Sequence, residues 1–480
     1  MMKRIKFLFP FLSLLLFSSC KKLVEIPETD LLAGNVALSN VTYIEQAMLS
    51  AYTPLSPDMD ILLNATLSDE VAKADFYNAN STHEWQYGPA DVGLRDNFTA
   101  IGPLYTAINR ANVALTALQN VAILNSAEEV KKSQLKGEGL FIRAFAHFEL
   151  FRYYSNNYDP AGLGMPYMET SSLAPTARIL MGPYFDKLNA DLAAAKDLVP
   201  QSLADINRAN RAAVAGLQAR VALYMRDWAK AEQYATEFIN LVPLADRSTF
   251  PGIWTDANQA EQAFRYVKTS SLSRLGSLFR GTSTSATTTG IGTITWKPSE
   301  KLWSSYDKIN DVRFNAYFKD EPLLNTPARS STRLIAKYAG TDYATPNENV
   351  NNGKLLRTGE MYLIRAEARA ELGKLSGSNS AESDINTLRT NRIALYLPIT
   401  YTSKQQAIDD ILQERFKELA YEGHRFFDLK RRSLPVTRLA VDAPSASGAT
   451  LPAGNFRYVL PIPLPEVTSN PLMQQNPGYF

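Results

Sequence analysis

ILQERFKELAYEGHRFFDLKRR, residues Ile411 to Arg432, begins as an amphipathic helix. Ile408, Ile411, Leu412, Arg415, Phe416 and Leu419 fall on one face at helical spacing. Arg415 is a cation on that apolar stripe, and Glu414, Glu418 and Glu422 step along a neighbouring face. Gly423 lets the helix stop, and His424, Arg425, Phe426, Phe427 and Asp428 follow at once. A charge buried without a partner is very costly. The stretch therefore predicts a structural ion-pair network of Glu414, Arg415, Glu418, Glu422, His424, Arg425 and Asp428, tying the helix end to the segment after it.

Upstream, the same 3.6-residue period recurs. Gly102 to Val121 carries a stripe of Leu104, Tyr105, Ile108, Ala111, Asn112, Leu115 and Leu118. Lys136 to Tyr154 turns Leu140, Phe141, Ala144, Phe148 and Phe151 inward, and Val41 to Leu55 and Met181 to Leu198 also read as helices. Ala213 to Leu241 has small residues at Ala215, Ala219 and Ala222, then Tyr224, an Arg226-Asp227 turn, Trp228 and Ala231. That is the pattern of a tetratricopeptide-like helix hairpin, and it returns at Glu360 to Arg389.

The expected fold is mainly α: a tetratricopeptide-like helical repeat scaffold with an irregular loop-rich excursion and few short strands. Residues 1–19 read as a signal peptide and 20–480 as one domain. Within it, repeats occupy about 41–242 and 354–430, the excursion about 243–353, and an extended clasp about 433–480. Ala263 to Lys268 reads as a strand in the excursion. Pro461, Pro463 and Pro465 exclude regular helix from the stretch Leu460 to Pro465 of the clasp.

Lys3, Arg4 and Lys6 precede an apolar run from Phe7 to Phe17, too short for a bilayer span. Small residues then lead to Cys20, the sole cysteine, which reads as a lipidation site. Acylation there would anchor the protein to a membrane. Lys plus Arg number 50 and Asp plus Glu 48, a near balance that leaves no electrostatic footprint for nucleic acid. One cysteine and three scattered histidines, His83, His147 and His424, form no metal motif, and no cofactor is expected.

Several stretches resemble the SusD/RagB family. ERFKELAYEGHRFFDLKR is similar to its C-terminal signature, and GEGLFIRAFAHFELFRYY to its early helix of the form EA-x-F-x-RA. The ending matches PIPxxE followed by NPxLxQNPGY at Pro461, Ile462, Pro463, Glu466, Asn470, Pro471, Leu472, Gln475, Asn476, Pro477, Gly478 and Tyr479. The resemblance implies a cell-surface lipoprotein of the outer membrane. Such a protein captures a glycan or other nutrient and delivers it to a SusC-like TonB-dependent transporter, without chemistry.

A search for enzyme signatures finds little. There is no H-E-x-x-H, Gly290-Ile-Gly292 lacks the rest of a nucleotide fingerprint, and no nucleophile elbow is present. The acidic cluster around Glu414 reads as structural rather than catalytic. Loop aromatics are more suggestive, because sugar rings stack on aromatic faces while their hydroxyls need polar partners. Ser68 to Asn97 reads as a loop beyond ordinary connector length. It supplies Tyr77, Asn78, Trp85, Tyr87 and Arg95 as candidate ligand-binding residues, and Phe279, Arg280 and Trp296 form a second candidate edge. The alternatives are a helical-repeat interaction module without a small-molecule site, and a surface glycosidase.

Overall fold

The computed structural model describes residues 38–75, 80–91, 100–285, 290–324, 331–341 and 343–479. Cys20, Tyr77, Asn78 and Arg95 lie outside them.

Among the described residues, seven helices longer than a single turn build the first half: α1 Val41–Tyr52, α2 Asp58–Leu67, α3 Ile101–Asn120, α4 Ser126–Tyr154, α5 Met181–Leu198, α6 Arg211–Met225 and α7 Trp228–Leu241. A strand, β1 Val71–Lys73, lies between α2 and α3. The long helices stack as neighbouring pairs, α1 on α3, α3 on α4, α4 on α5 and α6 on α7. Asn40, Asn125, Asn210 and Asp227 cap α1, α4, α6 and α7 through side-chain oxygens that accept backbone N–H groups. Arg226, with φ +60°, makes the tight hairpin turn between α6 and α7.

Helix α4 starts ten residues before the apolar period does. Its first turns carry Glu128, Glu129, Lys131 and Lys132 and face solvent, so no stripe announces them. From Gly137 to Tyr154 every residue is buried. Gly139 is what lets three helices meet there: a Cβ would sit 2.8 Å from both Met48 on α1 and Leu115 on α3. Phe141, Phe148, Phe151 and Tyr224 fill the core, Phe148 meeting Tyr224 edge to face at 5.2 Å.

The second half adds α8 Val312–Tyr317, α9 Thr358–Glu371, α10 Ala381–Thr390, α11 Lys404–Glu418, α12 Arg425–Arg431 and α13 Leu464–Ser469, besides single-turn helices. Helix α9 packs on α7 as well as on α10 and α11, so the repeat stack resumes where it stopped. The excursion leaves and returns through one neck, where β2 Gln262–Tyr266 pairs antiparallel with β6 Gly353–Arg357. Beyond it, β3 Trp296–Pro298 pairs with β1, and β4 Phe318–Asp320 pairs with β5 Arg333–Ile335. An aromatic cluster of Phe250, Trp254, Trp303, Phe314 and Tyr317 packs on Phe416 and Tyr421, at the end of α11.

The stretch from Ser68 to Asn97 is therefore not all loop. Val71–Lys73 is a strand held in register by a partner more than 200 residues away, with Lys73 opposite Trp296. Three residues are too few to show alternation, and pairing at that separation leaves no local trace. Among the described residues no helix is long and apolar enough to cross a membrane.

Candidate functional site

The end of α11 is the electrostatic centre of the molecule. Glu418 is fully buried and faces three guanidiniums: Arg357 at 2.6 Å, Arg313 at 2.9 Å and Arg392 at 3.1 Å. Glu414 pairs with Arg313 at 2.5 Å and with Arg389 at 2.6 Å. Glu422 takes Arg357 at 2.6 Å and Lys337 at 2.7 Å. Burial alone would raise the Glu414 and Glu418 carboxyls, but the surrounding arginines overturn it and hold both well below the usual range. Arg415 donates from Nε to Asp428 at 2.8 Å, and Arg425 reaches Asp69 at 2.7 Å.

His424 contributes no charge to this network. Burial, then Arg220 and Arg415, push its pKa well below the ordinary value, and its Nδ1 stands 4.0 Å from Glu360. Sequence could not supply the other half of the network. Arg313, Arg357 and Arg392 come from the excursion and the repeats, and only the fold brings them to Glu418. Glu414, Glu418 and Glu422 each face two or more cations, which suits a fixed scaffold.

The five predicted ligand-binding residues that the structure describes are not presented to solvent. Trp85, Tyr87, Phe279, Arg280 and Trp296 are each 3% exposed or less. The Trp85 indole donates to the Leu67 carbonyl at 3.0 Å, beneath the Arg438 guanidinium. Tyr87 donates to the Arg457 carbonyl and its ring faces Tyr479, pinning this loop to the clasp. Phe279 packs on Tyr421 at 5.3 Å, and Trp296 meets His83 edge-on at 4.9 Å. Arg280 pairs with Glu348 at 2.6 Å. Their stacking role is corrected: Trp85 and Tyr87 pack into the main helix core and Phe279 and Trp296 into the aromatic cluster of the excursion, so lack of helical period did not mean exposure.

Open surface suited to a ligand lies instead at the start of α3. Its first turns divide two cavities. Ala100, Pro103 and Leu104 wall a cavity of about 310 Å³, while Ile101, Gly102 and Tyr105 line a groove of about 470 Å³. The groove runs between α3, the 166–176 loop and the clasp. Tyr105 donates to the Pro166 carbonyl at 2.9 Å, Ser171 to Asn109 at 2.7 Å, and Asn470 to the Thr176 carbonyl at 2.9 Å. Met168, Met473 and the exposed Leu173 give the groove apolar surface, while Thr106, Asn109 and Thr170 give it hydroxyl and amide groups. Glu466, half-buried on α13, lines the groove with no protein partner for its carboxylate among the described residues. The sequence cue was the polar run Thr170-Ser-Ser-Leu-Ala-Pro175, an exposed loop between two helices.

The clasp holds the far wall. Arg178 is buried without a carboxylate partner among the described residues and donates instead to oxygens of Gly164, Gln474, Asn476 and Tyr154. Asn476 returns two bonds, to the carbonyls of Tyr154 and Leu460.

Residues 295–479 match a model of the SusD family, and residues 28–223 match one described as starch-binding, associating with the outer membrane. SusD-like protein P2 of Formosa agariphila is 26% identical over 526 aligned positions that cover both chains fully. Among solved structures, a SusD superfamily protein of Bacteroides thetaiotaomicron superposes with a TM-score of 0.78 at 22% identity, over 91% of this chain and 100% of that one. A laminarin binding SusD-like protein gives 0.71 at 21%, over 92% and 100%.

Proposed function

The chain belongs to the SusD family, and from that premise we propose that it is a glycan-capturing protein of the outer-membrane surface that works without catalysis. Captured glycan passes to a SusC-like TonB-dependent transporter, and an acyl group on Cys20 holds the protein beside it. The observation that carries the reading is the open groove along α3. Its mix of thioether and aliphatic surface with hydroxyl, amide and one carboxylate unpaired among the described residues suits a sugar, whose ring faces are apolar and whose edges are hydroxyls. Glu466 accepts from ring hydroxyls there, and Asn109 donates. The saturated ion pairs at Glu414 and Glu418 favour capture over hydrolysis, since neither carboxylate is free to act on a glycosidic bond.

Calorimetric titration of a panel of β-glucan, α-glucan and other oligosaccharides into protein beginning at Lys21 tests this. Saturable binding of one class is expected, with recovery of unaltered ligand after long incubation. A hydrogen bond to a charged group is worth about 1.5–3 kcal/mol against about 0.5–1.5 for a neutral one, so Glu466→Gln, which keeps an acceptor but loses its charge, should weaken binding roughly 5- to 10-fold. Binding by no member of the panel, or cleavage of the ligand, would overturn the reading. Retention of transporter on the acylated protein tests the handover, and loss of membrane attachment in Cys20→Ala tests the anchor.

A further inference from the structure

The smaller cavity, on the other side of α3, has a different character. Its charged lining groups are all carboxylates: Asp58 and Asp60 from α2 and Glu149 from α4. The aromatic rings of Phe145, Tyr153 and Tyr266 make much of the remaining wall. Asp58 is answered by Lys268 at 2.6 Å. Asp60 and Glu149 must share one guanidinium, because Arg152 Nη2 contacts both. Tyr153 donates to the other Asp60 oxygen at 2.8 Å. Glu149 Oε2 is used by Arg152, but Oε1 has no hydrogen-bond partner although the residue is only 4% exposed. A buried carboxylate oxygen left unmet costs free energy, and two carboxylates against one cation leave the cluster a positive charge short.

We propose that this cavity binds the ammonium group of a small organic cation, with the Glu149 carboxylate as its principal acceptor. An ammonium supplies the missing charge and donor together, and the aromatic walls favour a cation beside its carbon body. Among the described residues no three carboxylates or histidines are arranged to hold a metal ion, which sets the class as organic. The empty site has a second way to ease its charge. Burial pushes the Glu149 carboxyl up to about 7; Arg152 and Arg220 oppose this, and Asp60 adds to it. Tyr153 and Tyr266 are the remaining titratable groups against it, and both stay protonated. Around neutral pH the carboxyl thus holds a proton part of the time. When the ammonium enters, the carboxylate form is selected and that proton leaves to solvent, so binding and proton release are one event.

The test compares n-butylammonium with n-butanol, a pair matched in body and differing in charge. Each is titrated into the protein at pH 7 in phosphate and in HEPES, whose ionisation enthalpies differ and neither of which carries a net positive charge. We expect the amine to bind at one site with proton release, and the alcohol to bind roughly tenfold more weakly or not at all. Glu149→Gln should abolish the preference. If that variant does not fold, Asp58→Asn at the half-exposed mouth should weaken the amine several-fold while the proton count persists. Equal response to amine and alcohol, no proton release, or amine binding lost in Glu466→Gln but kept in both cavity variants would overturn the proposal. The last outcome would place the amine in the glycan groove.

Discussion

Glu418 on α11 and Arg357 at the end of β6 meet at 2.6 Å, though 61 residues separate them in sequence. The same guanidinium also donates to the Glu418 backbone carbonyl and to Glu422. It thereby locks the neck of the excursion to the helix on which the aromatic cluster rests. Removing one partner of a buried pair costs about 3–5 kcal/mol, most of it from the charge left behind. Glu418→Ala leaves three guanidiniums short of a partner. Arg415→Met leaves only Asp428, which keeps Arg431 at 2.8 Å. We expect Glu418→Ala to lower the Tm well below that of Arg415→Met, and scanning calorimetry of the two variants checks the order. Equal Tm values would mean that the three arginines find other acceptors.

The buried tryptophans give a second expectation. Trp85 and Trp296 each lose their packing on truncation, and Trp85→Ala also orphans the Leu67 carbonyl. Large-to-small changes of buried aromatics cost about 3–5 kcal/mol. Both variants should melt markedly earlier, while glycan affinity in the folded fraction stays near that of the parent. A variant with unchanged Tm and lost binding would restore the exposed-platform role for that residue.

How far the sequence could be read follows from range. Helices α3 to α7 and α9 to α11 declare themselves through a period of 3.6 in consecutive residues, and their caps lie within a few positions. The charged opening of α4 was missed because exposed helix has no apolar stripe. Arg415 was legible as a buried cation from its place on a stripe, but Arg313, Arg357 and Arg392 look like ordinary cations until the fold delivers them. The same limit hid the groove. Tyr105 reads as core by spacing, and only the 166–176 loop and the clasp make a wall of its outer edge. Trp85 misled for the converse reason: a long loop suggested exposure, yet the Leu67 carbonyl holds its indole and Arg438 covers it.

Glu70 offers a pH test. It is fully buried, and burial pushes its carboxyl up to about 8 even though its Oε1 accepts from the Tyr421 N–H. The folded state therefore holds a proton that the unfolded chain releases near pH 4.5. Between those values the native state binds more protons than the unfolded one. This group's contribution is thus fully present below about 4.5 and is lost as pH rises through about 8. Glu70→Gln, which mimics the protonated form, should remove up to one proton's worth of slope, about 1.4 kcal/mol per pH unit. Denaturant titrations of parent and variant at pH 5, 6, 7 and 8 read the difference directly. Parallel curves would show that Glu70 ionises freely in the fold.

The clasp joins stability to binding. Asn476 accepts from Arg178 at 2.8 Å and donates to the Tyr154 carbonyl at 3.0 Å and the Leu460 carbonyl at 2.8 Å. Burial holds the Arg178 pKa down to about 10, so its charge persists at neutral pH and depends on these oxygens for its solvation. Asn476→Ala takes one of the two acceptors from an Arg178 arm that keeps the Gln474 carbonyl, and it leaves the Leu460 carbonyl unmet while the Tyr154 carbonyl still accepts from Arg178; a buried group left unmet costs about 1–3 kcal/mol. Asn470 and Met473, a few residues upstream, line the groove, so loosening this anchor lets its far wall drift. Asn476→Ala should therefore lower both Tm and glycan affinity, whereas Glu466→Gln on the same wall should lower affinity alone. Asn476→Asp separates anchor from ligand contact, because it keeps the acceptor toward Arg178 and adds a charge to it, while it loses the two donations and sets a carboxylate oxygen against two carbonyls. Affinity between the parent and Asn476→Ala is expected for it. Glycan binding by Asn476→Ala at parental strength would detach the clasp from the site and leave it a purely structural strap.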